Sequence, residues 1–326
     1  MNPPAKTALP ILVTGGAGFI GSHLAQRLLA EGNRVVVLDD FSTGSRANLE
    51  SFAGHPGLTV IESKVSEFRD LDQLVSRCSA IYHLAAAVGV ELVIQSPLRA
   101  IQTNLRETEV ILEAASRHRT PTLLASTSEV YGKSQKPAFS EGDDLLIGPP
   151  HLGRWSYACS KLMDEFLALA CFKERGLPVV VARLFNTVGP RQTGQYGMVI
   201  PRFIAAAKAG LPLRVYGNGQ QTRCFCAVRD TVEALVRLQQ NPAARGEVFN
   251  IGSEEEVTIR QLAERVISTL GSPSTIEYLP YDQAYAPGFE DMLRRKPITE
   301  KLFRATGFRP ATPLLEIIRL TAGLGG

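Results

Sequence analysis

A strand, a glycine-rich turn and a helix follow one another in the stretch VTGGAGFIGSHL near the start of the chain. Gly15, Gly18 and Gly21 permit a tight turn there, and they let backbone N–H groups at the start of the helix approach a pyrophosphate. The acidic pair Asp39 and Asp40 closes the next apolar run, about 20 residues further on. A glycine-rich motif alone is weak evidence, but this complete order predicts a dinucleotide-binding unit. A carboxylate at that strand end can accept both ribose hydroxyls and would repel a 2′-phosphate, which favours NAD over NADP.

Apolar runs alternate with helical patterns as far as about residue 187. The candidate strands are ILVTG, RVVVLDD, LTVIES, AIYHLAA, TLLAS and PVVVARLF, and the candidate helices between them are FIGSHLAQRLLAEG, LDQLVSRC, PLRAIQTNLRETEVILEAASRH and WSYACSKLMDEFLALACFKERG. This alternation predicts an α/β protein with a doubly wound parallel sheet of the Rossmann type. We expect residues 1–186 to form mainly the cofactor-binding domain. We expect residues 187–326 to form mainly a smaller substrate-binding lobe, with some segments returning to the first domain.

Composition narrows the class of partner. The 326 residues are 44% hydrophobic, which suits a globular chain with a sizeable core. The 35 basic and 32 acidic residues are interspersed, so no extended basic surface for nucleic acid is predicted. Five cysteines without a C-x-x-C pair argue against a disulfide framework and against a zinc site. With no signal peptide and no apolar run of the roughly 20 residues that span a bilayer, the sequence predicts a cytoplasmic protein without a metal or a membrane partner.

The stretch RWSYACSK places Tyr157 four residues before Lys161, on one face of a predicted helix. A free tyrosine has a pKa of about 10, so it needs a neighbouring cation before it can act as a base near neutral pH. Such a pair can also arise by chance on a helix surface, but STSEVYG directly follows the fifth predicted strand, at the edge where open sheets bind ligands. Thr127 and Ser128 would hold a substrate hydroxyl with its proton toward the tyrosine. These residues predict oxidation of a secondary alcohol.

With these motifs the chain resembles the extended short-chain dehydrogenase/reductases that act on nucleotide sugars. The resemblance covers nearly the whole chain and rests on GGAGFIG, DDFSTGSRANL, HLAA, STSEVYG, YACSK, RLFNTVGPR, VYGNGQQTRCF and NIGS. It implies an NAD that stays bound while a 4-keto sugar intermediate forms. The residues expected to bind this cofactor are Gly15, Gly18, Phe19, Ile20, Asp39, Asp40, Ser42, Thr43, Lys64, Val65, Leu84, Ala85, Ala86, Asn104, Tyr157 and Lys161.

Within that family the chain looks most like the UDP-glucuronate decarboxylases of the UDP-xylose synthase type. The closer match rests on Glu129 after the hydroxyl pair, on Arg154 three residues before the tyrosine, and on Arg295 in FEDMLRRKP. Oxidation of C4 places a ketone β to the C6 carboxylate, and β-keto acids lose carbon dioxide readily. The arginines would contact the anionic substrate, and Glu129 would assist carboxylate loss or proton return. The expected catalytic residues are Tyr157, Lys161, Thr127, Ser128, Glu129 and Arg295.

The same resemblance implies a UDP-sugar site in the second lobe. Asn186 is expected near the substrate diphosphate, Arg223 is expected to be a diphosphate ligand, and Arg295 would serve only the diphosphate in an alternative reading. The expected substrate-binding residues are Arg154, Asn186, Val199, Arg202, Val215, Tyr216, Arg223 and Arg295. Uracil specificity follows from the resemblance alone, because spacing does not distinguish UDP from other nucleotides.

Three positions depart from the family pattern. Lys64 stands where many relatives have an acidic residue for the adenine amino group, so adenine binding would depend on the Val65 backbone. The loop from Ala85 to Arg99 matches neither decarboxylases nor epimerases well and is expected to face the sugar, and Phe289 replaces a tyrosine of a related decarboxylase.

Alternatives to a decarboxylase therefore stay open. A 4-epimerase of UDP-hexoses or UDP-hexuronates would use the same tyrosine and lysine, and a dinucleotide-sensing protein would keep the fold without turnover. The helix SYACSKLMDEFLALACF also carries an apolar set that could pair with a second copy across a two-fold axis, so a homodimer is expected, although the same side chains could pack on the sheet. This set comprises Leu162, Phe166, Leu169, Ala170 and Cys171.

Overall fold

A seven-stranded parallel sheet is the centre of the molecule, which a computed structural model describes for residues 9–87, 96–194, 198–280, 292 and 294–324. Six of its strands follow the six predicted runs. They are β1 Ile11–Thr14, β2 Val35–Asp39, β3 Leu58–Glu62, β4 Ala80–His83, β5 Thr122–Thr127 and β6 Val179–Leu184. Shorter strands follow along the chain, and they are β7 Thr187–Val188, β8 Leu213–Tyr216, β9 Thr222–Cys224, β10 Cys226–Ala227, β11 Val248–Ile251, β12 Glu256–Thr258 and β13 Ile276–Leu279. The predicted Rossmann-type α/β fold is confirmed.

The order of strands in the large sheet is β3-β2-β1-β4-β5-β6-β11. The chain reverses direction across the sheet between β1 and β4, which creates the switch point where ligands bind in open sheets of this kind. The last strand, β11, comes from the C-terminal third of the chain and pairs with β6. The sequence analysis did not predict this strand, although its residues VFNI are β-branched and aromatic enough to form one.

The helices cover both faces of this sheet and build the smaller lobe. They are α1 Phe19–Ala30, α2 Leu71–Ser76, α3 Pro97–His118, α4 Trp155–Arg175, α5 Val199–Lys208, α6 Val228–Gln240, α7 Ile259–Leu270, α8 Glu300–Thr306 and α9 Leu314–Thr321. The four predicted helices correspond to α1, α2, α3 and α4. Within the described ranges, no helix has the length and apolar character needed to cross a membrane.

The core of the sheet has two sides because consecutive strand residues point to opposite faces. Val35 and Val37 of β2 pack with α1 and α6 on one side, whereas Val36 and Leu38 pack with α2, α3 and α4 on the other. Every residue of β2 is buried, as expected for a strand covered on both faces. A separate apolar cluster joins α5, α7 and α9 to β8 and forms the core of the smaller lobe.

Candidate active site

One large cavity of about 1150 Å³ brings residues of the large sheet and of the smaller lobe together. It lies at the carboxyl ends of β1, β2, β4 and β5, where the switch point predicts a ligand. Most of the sequence-predicted site residues line it. From the first 161 residues these are Gly15, Gly18, Phe19, Ile20, Asp39, Asp40, Ser42, Thr43, Lys64, Val65, Leu84, Ala85, Ala86, Thr127, Ser128, Glu129, Arg154, Tyr157 and Lys161. From the remainder they are Asn186, Val199, Arg202, Tyr216, Arg223 and Arg295.

The glycine-rich turn between β1 and α1 is packed too closely for side chains. Gly15 has φ +68°, and a Cβ there would lie 2.7 Å from the backbone nitrogen of Ala85. A Cβ on Gly21 would lie 2.1 Å from the carbonyl oxygen of Gly15. Because only glycine fits at these two positions, the start of α1 can approach the cavity with its backbone N–H groups. This geometry suits a pyrophosphate.

Asp39 ends β2 with its carboxylate held by backbone groups. Its two oxygens accept hydrogen bonds from the N–H of Ala17 and from the N–H of Phe41, each at 2.8 Å. Burial raises the pKa of this carboxyl above its ordinary value, and the two backbone hydrogen bonds oppose that rise. A carboxylate oxygen has more than one lone pair, so Asp39 can still accept ribose hydroxyls.

The neighbouring acidic and basic residues at the cofactor side are more exposed. Asp40 accepts hydrogen bonds from the Ser42 backbone and hydroxyl at 2.9 and 2.6 Å. The Lys64 ammonium pairs with the Glu67 carboxylate at 2.5 Å. Lys64 therefore has a counter-charge three residues away in the chain, while Val65 next to it is buried.

Asn104 does not line the cavity, contrary to its prediction as a cofactor ligand. It is buried in α3, where its side-chain oxygen accepts the Ala87 N–H at 2.7 Å and its amide donates to the Ser160 hydroxyl at 3.2 Å. Both polar atoms of its amide form hydrogen bonds that join the loop after β4 to α4. Asn104 therefore positions the backbone that follows the cavity residues Ala85 and Ala86.

Tyr157 and Lys161 lie on α4 and face the cavity, as the spacing of four residues predicted. Burial raises the pKa of the Tyr157 phenol, the nearby Glu129 carboxylate raises it further, and the neighbouring Thr127 side chain opposes the rise. The Lys161 ammonium donates to the Asp164 carboxylate at 2.8 Å, and this ion pair compensates its charge.

The turn after β5 carries the predicted hydroxyl pair. The Thr127 hydroxyl accepts the Glu129 N–H at 3.2 Å and so begins the short helical turn Ser128–Tyr131. Ser126, just before it, donates to the Glu165 carboxylate of α4, and Glu165 forms a buried ion pair with Arg183 of β6 at 2.8 Å. A buried polar network thus holds the turn after β5 in place.

Glu129 is the centre of a cationic cluster that is mostly buried. Its carboxylate contacts the guanidinium of Arg295 at 2.6 Å and that of Arg154 at 3.3 Å. Burial raises the pKa of Glu129, but Arg295, Arg154 and Arg223 together lower it below its ordinary value. Three guanidinium groups therefore surround one carboxylate close to the Tyr157 hydroxyl. The cluster therefore favours an anionic substrate.

The smaller lobe supplies the other predicted substrate residues except one. The Arg202 guanidinium lies over the Tyr216 ring at 4.7 Å, and the Asn186 amide donates to the Cys224 carbonyl at 3.0 Å. Val215 is fully buried in the core of the smaller lobe and does not line the cavity. The reason is strand alternation: Arg214 and Tyr216 of β8 face the cavity, so the residue between them faces the core.

Sequence comparison assigns the family. The sequence model of the NAD dependent epimerase/dehydratase family matches residues 11–252, most of the chain. The chain belongs to this family. The NAD dependence of the family agrees with the glycine turn and with Asp39, which fit that cofactor. Within the described ranges, no group of three or more His, Cys, Asp or Glu side chains is placed to hold a metal ion.

Members of the epimerase/dehydratase family with known names cover nearly the whole chain. A UDP-N-acetyl-alpha-D-glucosaminuronate decarboxylase from Bacillus cytotoxicus is 42% identical over 92% of this chain and 92% of its own length. UDP-glucuronic acid decarboxylase 1 from Danio rerio is 37% identical over 95% of this chain and 71% of its own. Among solved structures, UDP-glucuronic acid 4-epimerase from Bacillus cereus in complex with UDP-glucuronic acid and NAD has a TM-score of 0.86 and 30% identity, over 97% of this chain and 98% of its own.

The sequence analysis missed one residue of the site, and one predicted loop is described only in part. Asp164, the partner of Lys161, was missed, although its spacing of three residues on the same helix was a usable signal. The predicted sugar loop from Ala85 to Arg99 is described only in part, because residues 88–95 lie outside the described ranges, as does Phe289.

Proposed function

We propose that this protein is an NAD-dependent UDP-glucuronate decarboxylase. It oxidises C4 of the sugar to a 4-keto intermediate, which loses carbon dioxide to give UDP-4-keto-xylose, UDP-xylose or both. The observation that carries the proposal is the cluster of Glu129 with Arg154, Arg223 and Arg295 beside Tyr157. A tyrosine base alone fits many alcohol oxidations, whereas a base next to a buried cationic cluster fits an acidic sugar.

The oxidation step uses the residues of α4 and of the turn after β5. Tyr157 takes the proton of the C4 hydroxyl, and Thr127, which lines the cavity next to the phenol, would hold the hydroxyl toward it. NAD, when bound, accepts the hydride from C4. Ser128 lines the same cavity and can orient the sugar hydroxyl. Lys161 stabilises the negative charge that develops on the phenol.

The decarboxylation step depends on the arginines. The C4 ketone is β to the carboxylate, so carbon dioxide leaves and its bonding electrons pass into an enolate. Arg154 and Arg295 hold the carboxylate and stabilise the negative charge. Glu129, which these arginines keep ionised before the substrate arrives, carries no proton of its own, so the proton that returns to C5 comes from a water molecule that this carboxylate can orient. We assign Arg223, which also lines the cavity, to the diphosphate.

The smaller lobe would hold the uridine diphosphate part. Val199 and Tyr216 form walls of the cavity, and Arg202 stacks on the tyrosine ring, which leaves a flat surface for a base. Asn186 reaches the cavity from the end of β6 and is placed for the diphosphate. We propose that the two domains divide at residue 186. Helix α6 and strand β11 come later in the chain but belong to the cofactor-binding domain.

Two other reactions have specific support. The similarity to UDP-glucuronic acid 4-epimerase favours epimerisation at C4 with the same base. The 42% identity to a UDP-N-acetyl-alpha-D-glucosaminuronate decarboxylase favours the same chemistry on a sugar with an acetamido group at C2. Both alternatives keep the acid group that the arginine cluster requires, so the cluster does not separate them.

Mass spectrometry of the product separates these reactions. The purified protein is incubated with NAD and either UDP-glucuronate or UDP-N-acetylglucosaminuronate, while absorbance reports NADH. We expect UDP-glucuronate to lose the mass of carbon dioxide, and NADH that persists would show release of the 4-keto product. Unchanged mass with inverted C4 would establish an epimerase, and turnover of only the acetamido sugar would change the assigned substrate. Tyr157→Phe is the matched control, and no turnover of either sugar would contradict the proposal.

A homodimer is also proposed, on the exposed face of α4. The side chains of Met163 and Phe166 are 52% and 63% exposed, and Leu167 lies beside them. Cys171, predicted as part of this face, is instead buried in the core. Phe166→Glu is expected to shift the protein to a monomer in analytical ultracentrifugation, whereas Phe303→Glu, on the exposed side of α8, is expected to leave the mass unchanged.

We propose a cytoplasmic location because the cysteine thiols are free. All five cysteines, Cys78, Cys159, Cys171, Cys224 and Cys226, are free. Free thiols are typical of proteins that work in a reducing compartment. Alkylation of the protein from unbroken and from lysed cells, read by mass, would show whether these thiols stay reduced in the cell.

A further inference from the structure

Lys161 and Asp164 form a buried ion pair within α4. The distance from Nζ to the carboxylate oxygen is 2.8 Å, and the side chains are only 3% and 0% exposed. A buried pair of this kind contributes little net stability in general, because desolvation offsets the attraction. Asp164 does not line the cavity, so it acts on any bound molecule only through its neighbours.

Buried polar groups lie beside Asp164 on its other side. The Thr108 hydroxyl of α3 neighbours the Asp164 carboxylate and lies 3.3 Å from Nε2 of His83. Nδ1 of His83 lies 2.8 Å from the hydroxyl of Thr14, the residue that precedes Gly15 in the glycine turn. The polar groups next to this carboxylate therefore extend, through β4, to the strand that carries the cofactor turn.

The titratable groups that face this ion pair come from β4 and from α4 itself. Burial, with the Lys161 charge, lowers the pKa of His83 to about 3, so the imidazole is neutral at neutral pH. Glu165 of α4 is compensated by its own guanidinium partner. Tyr157 is the remaining group, and its pKa is raised first by burial, next by the Glu129 carboxylate and least by the Asp164 carboxylate. Asp164 is thus the one carboxylate of this set that bears on both the lysine and the tyrosine.

We propose that Asp164 is a positioning residue for the reaction: it holds the Lys161 ammonium in place on the helix face that carries Tyr157. The inference rests on the proposed function for the roles of the tyrosine and the lysine. The carboxylate has two effects. It fixes the ammonium through a direct ion pair at 2.8 Å. Its charge also opposes ionisation of the phenol, so that a higher pH is needed to form the phenolate.

The test is the pH profile of Asp164→Asn. Because the amide keeps the shape and removes the charge, the limb of the kcat/KM profile that reports Tyr157 is expected to move to lower pH, by about one pH unit. Thr108→Val removes a hydroxyl that lies next to both the carboxylate and His83, and we expect a smaller shift in the same direction. The matched control is Asp143→Asn, because Asp143 also pairs with a lysine, Lys136 at 2.6 Å, but lies outside the cavity lining.

A second measurement separates this inference from the proposed function. Tyrosinate formation is followed by ultraviolet absorbance in the protein without substrate, and the spectrum of Tyr157→Phe is subtracted to isolate one phenol. We expect that phenol to ionise at lower pH in Asp164→Asn, whichever sugar is the substrate. A rate that falls equally at all pH values, with unmoved limbs and an unmoved tyrosinate transition, would show a structural role only and would overturn the inference. If Asp164→Asn does not fold, the Thr108→Val profile decides in the same way.

Discussion

Asp39 and Glu129 are carboxylates that line the same cavity, and the protein holds them by different means. Asp39 is held by two backbone N–H groups, and burial still raises the pKa of its carboxyl. Glu129 is held by guanidinium groups, and its pKa is lowered although it is mostly buried. Peptide dipoles position a carboxylate but only partly replace its hydration, whereas full opposite charges more than replace it. The surroundings of Asp39 thus suit neutral hydroxyl ligands, and the surroundings of Glu129 suit anions.

The largest expected effect comes from removing one charge of the substrate side. Arg295→Met keeps the bulk of the side chain and deletes the closest contact of Glu129, so turnover of UDP-glucuronate should fall at least about 100-fold, a loss of about 3 kcal/mol. NAD affinity should stay unchanged. Arg294→Met is the matched control, because Arg294 is half exposed and pairs with Glu256 at 2.7 Å. Steady-state kinetics and NAD titration measure both, and an equal loss in the control would remove the contrast between the two sides.

An intermediate effect is expected at the cofactor side. Asp39→Asn keeps one oxygen for a backbone N–H and loses the other acceptor together with the charge. NAD affinity should fall about tenfold. This corresponds to the free energy of one charge-assisted hydrogen bond, about 1.5 kcal/mol. Calorimetric titration with NAD and with UDP measures the effect. If UDP affinity fell as much as NAD affinity, the two sides would not be independent.

The smallest effect is expected from lowering the pH. A carboxyl with a raised pKa takes up its proton at a higher pH than usual, and one with a lowered pKa does so at a lower pH. Asp39 should therefore be protonated before Glu129 as the pH falls from about 7 to about 4. NAD affinity should decline several-fold while UDP-glucuronate affinity holds. Titrations at several pH values measure both, and the reverse order of loss would contradict the assigned cause of the two shifts.

Much of the fold was predictable because its signals are local. Six strands and four helices follow runs of apolar residues whose period is fixed within each segment. The seventh strand, β11, was missed because four residues in a Gly- and Pro-rich region carry little periodicity, and only pairing with β6 makes them a strand. The error at Val215 had a similar origin, since only the placement of β8 decides which alternate residues face the cavity.

The candidate site was predictable in its residues but less so in its charges. Tyr157, Lys161, Glu129 and the arginines do line one cavity. The spacing of four residues predicted that the tyrosine and the lysine share one helix face, but it did not predict that Asp164 pairs with the lysine. That pairing depends on complete burial, which no count of residues along a helix can supply.

The sequence by itself determined the Rossmann order, the glycine turn and the types of residue that do the chemistry, because these depend on neighbours close in the chain. The tertiary structure alone decided which charges compensate one another. Arg154, Arg223 and Arg295 come from three distant segments, and they meet one carboxylate only because the smaller lobe packs against the carboxyl end of the sheet. Electrostatic energy depends on the distance between charges and on their burial. The ionisation of Glu129 and of Tyr157 can therefore be derived only from the folded structure.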